Sequence, residues 1–166
     1  MDEDVRQFEI KHFVEEVGLF FEQLGLTRMA GRVMGWLLIC DPPHQSMGEL
    51  VDALLASKAS ISNTTRLLIQ IGFIERISLP GERRDYFRIK PDAFFEVTKA
   101  EMFKMRALRQ LTDRGLTLLD AQDPSLKMRL DGMREMCLFF EENLPPLLEA
   151  WEQKRKHLND YEAVRR

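Results

Sequence analysis

The run Ser57-Lys58-Ala59-Ser60-Ile61-Ser62-Asn63-Thr64-Thr65-Arg66-Leu67-Leu68-Ile69-Gln70-Ile71-Gly72 admits little other than a capped helix with two unlike faces. Ser57 suits an N-cap, where its hydroxyl takes an otherwise unpaired backbone N–H. Gly72 suits the left-handed residue that ends a helix. Ile61, Thr64, Thr65 and Leu68 recur at helical spacing and predict the buried side. Ala59, Ser62, Asn63, Arg66 and Gln70 make the other side. That side has no carboxylate, has small residues that permit close approach, and carries two side chains able to read base edges. It is the pattern expected of a helix that lies in a DNA groove.

The flanking segments extend the pattern. Ser46 and Glu49 predict a capping box opening a short helix from Met47 to about Leu55, with a tight break at Ala56 before the next helix. A short helix, a tight turn and a second helix with a polar outer face form a helix-turn-helix. Phe73–Leu79 is short and β-branched, Pro80-Gly81-Glu82-Arg83-Arg84 supplies turn residues, and Tyr86–Ile89 reads as a returning strand. The result is a hairpin wing with two arginines at its tip. Of Tyr86 and Phe87, one is expected to point into the core.

Longer helices bracket this centre. Asp4–Leu24 is predicted to be amphipathic, with Phe13, Val17, Phe20, Phe21 and Leu24 on its apolar stripe and Phe8 extending it. Thr27 caps a second helix through about Cys40, stopped by Asp41-Pro42-Pro43-His44. After Pro91 a long helix is expected to about Ala121. Asp123-Pro124 then starts another, with Asp123 as cap, bearing Leu126, Leu130, Met133, Met136, Cys137, Phe140 and Leu144. Pro145-Pro146 should kink or restart it before Leu147, Leu148 and Trp151, and the polar tail from Gln153 should fray. These helices carry more apolar surface than a small domain can cover, so self-association is the expected outlet. The predicted fold is mainly α: a winged helix-turn-helix over residues 25–91, an N-terminal dimerisation helix over 1–24, and a C-terminal helical dimerisation region over 92–166.

Charge distribution agrees with a local DNA surface. The 166-residue chain carries a net charge of −3, yet Ala56–Lys90 holds seven basic and three acidic residues, +4, which leaves −7 elsewhere. Basic charge concentrated in one part of an acidic protein is the footprint of a phosphate-binding surface; a solvated face with a chance cluster is the plainer alternative. The acidic opening Met1-Asp2-Glu3-Asp4 has no apolar signal core, and Met34–Cys40 is too short to span a bilayer, so a cytoplasmic protein with no membrane association is expected. Cys40 and Cys137 sit among apolar neighbours and read as buried free thiols.

Taken in order, Ser57-Lys58, Ile61-Ser62, Leu68, Gly72-Phe73-Ile74, the basic hairpin and Tyr86-Phe87 resemble the MarR-like winged-helix transcription regulators of bacteria. Within that family, the run from Met133 through Phe139-Phe140-Glu141-Glu142, Leu144-Pro145, Leu147-Leu148-Glu149 and Trp151 resembles the C-terminal helix of the GbsR-like subgroup. The resemblance spans nearly the whole chain. It implies a homodimer held by N- and C-terminal helices, a recognition helix in the major groove, and a wing against phosphates or the minor groove. The chain departs from the usual pattern at Ile69, Gln70 and Ile71, where family members often carry acidic residues, and at Thr65, where leucine is common. The subgroup's namesake resembles a regulator responsive to choline-type molecules, but no aromatic cage transfers that ligand here.

The candidate DNA-binding residues are therefore Lys58, Ser60, Ser62, Asn63, Arg66, Arg83 and Arg84. Asn63 and Arg66 are expected to read adenine or guanine through paired hydrogen bonds, with a solvated helix face as the alternative. Lys58, Ser60 and Ser62 are expected to hold register on phosphates, and Arg83 and Arg84 to serve the wing. No cofactor or metal is expected: His12, His44 and His157 are scattered, and Cys40 with His44 offers too few ligands. No nucleophile, base and orienting group cluster, so the chain is not expected to be an enzyme. The leading expectation is a homodimeric, sequence-specific regulator of double-stranded DNA, acting as a repressor on inverted-repeat operators and tuned by a small ligand. A winged-helix protein-interaction module and a thiol redox sensor are the alternatives.

Overall fold

A computed structural model describes residues 2–119 and 124–164, with side chains through residue 156. The proposed cap Asp123 and the expected helix end at Ala121 lie outside the described residues, as does the side chain of His157. The elements are α1 (Glu3–Gln23), α2 (Arg28–Ile39), β1 (Gln45–Ser46), α3 (Met47–Leu54), α4 (Lys58–Ile71), β2 (Ile74–Ser78), β3 (Asp85–Ile89), α5 (Ala93–Leu118) and α6 (Pro124–Val164). They cluster into two compact units, Met1–Val97 and Thr98–Arg166. The first helix thus belongs to the same unit as the helix-turn-helix and the wing.

In the first unit, α1 packs along α2 through small residues. A methyl group on Gly31 would sit 2.5 Å from the Val17 carbonyl oxygen, so only glycine permits this approach. The buried stripe of α1 is Val14, Gly18 and Phe21. Of the aromatics expected to lie on the apolar face, Phe8, Phe13 and Phe20 are exposed, as is Leu24. The glycines of α2 select which face of α1 docks, and hydrophobic spacing alone does not register them. Thr27 Oγ1 accepts from Ala30 N–H at 3.2 Å and caps α2 as expected.

The capping box of α3 is complete: Ser46 N–H donates to Glu49 Oε2 (2.6 Å) and Glu49 N–H to Ser46 Oγ (3.3 Å). The break after α3 falls one residue earlier than expected, at Leu55, which is left-handed (φ 49°). Ser57 Oγ accepts from Ser60 N–H at 3.1 Å and starts α4, and Gly72 (φ 97°) ends it. Ile61, Thr64, Thr65 and Leu68 are all buried, against Val33, Met34, Leu37, Leu50, Leu54 and Ile74.

The sheet runs β1-β3-β2, all antiparallel, with Ile74 opposite Ile89 and Ser78 opposite Asp85. β1 pairs Gln45 with Phe87 and Ser46 with Tyr86, a pairing too short to leave a sequence signal. It makes β3 the central strand, so both Tyr86 and Phe87 are buried where only one was expected. Their side chains point to opposite faces, and His44 covers Tyr86 edge-on with ring centroids 5.3 Å apart.

In the second unit, α5 and α6 run antiparallel. Arg109 pairs with Glu141 (2.9 Å) and Asp113 (2.7 Å), Arg134 reaches Asp113 (2.8 Å), and Gly115 leaves room for Leu130. α6 contains Pro145 and Pro146 and neither ends nor restarts there. Each proline removes one backbone donor, but its fixed φ is already helical, so a 41-residue helix absorbs the loss. The helix also continues through the polar segment beyond Gln153.

Candidate nucleic-acid interface

α4 is anchored by its buried face, and the wing by Ile74 and Phe87, which fixes what both present outward. Lys58, Asn63 and Arg66 are exposed, and Ser60 and Ser62 are half-buried on the same helix. At the hairpin tip Arg83 and Arg84 are exposed. Between α4 and the wing lies an open groove of about 930 Å3. Lys58, Ser62, Arg66 and Arg84 line it, whereas Ser60, Asn63 and Arg83 stand outside its lining. The groove also collects Arg76, Lys90 and Ile69, which were not among the sequence candidates. The strand register that turns Arg76 toward α4 was not legible; its charge was.

Carboxylates accompany part of this cationic set. Arg76 pairs with Asp85 (3.3 Å), Arg88 with Glu75 (2.7 Å) and Arg84 with Glu82 (3.7 Å). These pairs are largely exposed, and such pairs contribute about 0–1 kcal/mol, so a phosphate can displace the carboxylate at little cost. Among the described residues, Lys58, Arg66 and Arg83 form no ion pair. The amino end of α4, with its free backbone N–H groups and Lys58 in the first turn, adds to the attraction for anions. Glu49 sits at the edge of this surface with its carboxyl held below the ordinary glutamate range, first by the Ser46 backbone N–H, then by the Ser46 side chain, with a further contribution from Arg84.

The other singled-out residues have structural settings. His12 lies 3.6 Å from Glu16 on α1, and His44 packs on Tyr86. Cys40 is half-buried, and burial pushes its thiol upward, away from the reactive thiolate. Cys137 is fully buried. Among the described residues, no three His, Cys, Asp or Glu side chains gather as metal ligands, and no helix is long and apolar enough to cross a membrane.

Residues 24–85 match the model of the MarR family, and residues 92–155 that of the MmpR5-like MarR family transcriptional regulators. The HTH-type transcriptional regulator MmpR5 of Mycobacterium tuberculosis (strain ATCC 25618 / H37Rv) is 43% identical over 146 residues, which cover 88% of each protein. The HTH-type transcriptional repressor OpcR of Bacillus subtilis (strain 168) is 24% identical over 91 residues, 55% of this chain and 49% of OpcR. A crystal structure of a transcriptional regulator, 43% identical in sequence, superposes with a TM-score of 0.77 over 87% of this chain and 99% of its own. These relatives are transcriptional regulators. The chain belongs to the MarR family of winged-helix, DNA-binding transcriptional regulators.

Proposed function

We propose that this regulator binds inverted-repeat operators in double-stranded DNA as a homodimer and represses by occluding a promoter, with a small ligand shifting the dimer between shapes that do and do not match successive grooves. The observation that carries the reading is the carboxylate-free outer face of α4, with Lys58, Asn63 and Arg66 exposed beside the groove that leads to the wing. In this reading Asn63 and Arg66 contact base edges, while Lys58, Ser60 and Ser62 hold register and Arg83 and Arg84 meet the backbone beyond. The dimer is supported by the exposed apolar residues of α6, among them Met133, Met136, Phe139 and Leu147, and by Phe8 and Phe20 of α1. A GbsR-like kinship of the last helix rests on the Met133–Trp151 run alone. Selection of bound fragments from genomic DNA, with sedimentation of the full chain, tests the proposal. A shared inverted repeat bound by a dimer is expected. Binding without sequence preference, or tight operator binding by a clean monomer, would overturn it.

A further inference from the structure

The corner between α3 and α4 sets the angle between the two helices, and it is built without glycine. Leu55 takes φ 49° and ψ 44°, a left-handed conformation that residues with a Cβ adopt at a cost. Its side chain is 88% exposed, so burial of that side chain does not hold it there. From inside, the Leu55 and Ala56 N–H groups both donate to the Val51 carbonyl. From outside, Arg32 of α2 reaches in: its Nη2 donates to the Leu54 carbonyl over 2.9 Å. Leu54 is the last residue of α3, and a terminal helix carbonyl has no partner of its own within the helix.

The same guanidinium looks back to α1. Its Nε lies 2.7 Å from Glu15 Oε1, an ion pair that is not aligned as a hydrogen bond. The other oxygen of Glu15 takes Arg28 Nη2 at 3.2 Å. Arg32 borders a separate cleft of about 260 Å3 among α1, α2 and α3, not the groove beside the wing. A planar fork with several donors can hold a carboxylate and a carbonyl together, which a single ammonium does poorly. We propose that Arg32 is a positioning residue: it ties the strained α3–α4 corner to α1 and α2, and so sets the pose of the recognition helix without touching DNA.

The DNA arm of the test rests on the proposed operator binding; the exchange arm does not. Arg32→Met keeps the side-chain stem and removes the donors. Its affinity for an inverted-repeat duplex selected with the wild-type protein should fall roughly tenfold, about the value of one hydrogen bond to a charged donor. Affinity for a scrambled duplex, and the salt dependence of that binding, should not change. Amide exchange at Leu55–Ser57 should accelerate. Adding Leu55→Gly, which accepts the left-handed conformation without strain, should recover most of the lost affinity. A role confined to α1–α2 packing would not be rescued in this way. Wild-type exchange and a wild-type affinity ratio in Arg32→Met would overturn the inference. So would equal losses on both duplexes with a shallower salt dependence, which would mark a phosphate contact, and so would failure of the glycine to rescue. If Arg32→Met loses its helical circular dichroism, Arg32→Lys carries the same readouts. If no duplex is preferred by the wild type, the operator reading falls, and exchange at the corner still decides the role of Arg32.

Discussion

In α4 the main apolar side chains are covered by their own unit: Ile61 and Leu68 are fully buried, and outside stand Lys58, Asn63, Arg66 and Gln70, with Ile69 as the exposed large apolar residue. In α6 the balance is reversed. Met133, Met136, Phe139, Leu147 and Trp151 are exposed, and Cys137 is its one fully buried side chain among the described residues. Both helices are amphipathic, so amphipathicity alone does not say whether a face has found its partner. The first pattern is that of a helix positioned by its core to present chemistry. The second is that of a helix whose core is unfinished in one chain. Burying a large apolar side chain contributes about 1.5–3 kcal/mol, so a handful from α6 offsets the entropic cost of association.

The sharpest break of this contrast removes α6. Truncation before Asp123 should leave the first unit folded and reduce operator affinity by at least about a thousandfold, to the non-specific level. Operator titration beside circular dichroism reads both effects, and a truncated monomer with intact operator affinity would end the dimer reading. A core deletion in α4 should act differently. Leu68→Ala should lower unfolding free energy by about 2–5 kcal/mol, measured in urea, and independently of protein concentration. Leu147→Asp in α6, in contrast, should make oligomerisation the property that changes.

Smaller effects separate functions within α4 itself. Asn63→Ala or Arg66→Ala should cost about 1–3 kcal/mol on the operator and relax preference at one position. Lys58→Ala and Arg83→Ala should weaken all sequences alike and reduce the salt slope by about one unit. Equal behaviour of all four in titrations on operator and scrambled duplexes would refute the division of labour.

Below these stands the cap of α3. Ser46→Ala should cost about 0.5–2 kcal/mol in thermal unfolding. Because the folded state holds the Glu49 carboxyl below its ordinary range, its contribution is present above that range and is lost as pH falls through the folded value. Glu49→Gln should therefore flatten part of the acid limb of stability, by a small amount because the side chain is exposed. No effect at all is expected from oxidation. With Cys40 and Cys137 replaced by alanine, DNA binding should respond to peroxide as the wild type does, namely not at all; release of DNA by the oxidised wild type alone would contradict this.

The helix-turn-helix was legible because its signals are local. Ser46 with Glu49, Ser57 and Gly72 act on backbone groups within a few residues, and the period of Ile61, Thr65 and Leu68 states which side of α4 is buried. Elsewhere local signals pointed the wrong way or were silent. The stripe of aromatics on α1 is real, yet Gly31 decides that Val14, Gly18 and Phe21 dock, because backbone approach between helices depends on the partner's surface. Of the kink or restart that Pro145 and Pro146 announce, α6 does not make the restart.

What the sequence determined by itself is the set of helices, the wing hairpin and the chemistry of the outer face of α4, since capping, periodicity and side-chain type are properties of neighbouring residues. What only the tertiary structure decided is which residues share a surface. The two-residue β1 makes β3 central and buries both Tyr86 and Phe87. The strand register carries Arg76 and Lys90 into the groove with Lys58 and Arg66, and Arg32 meets Leu54 across 22 residues of chain. Contacts of that kind depend on the path of the whole chain and leave no periodic trace in any short stretch of it.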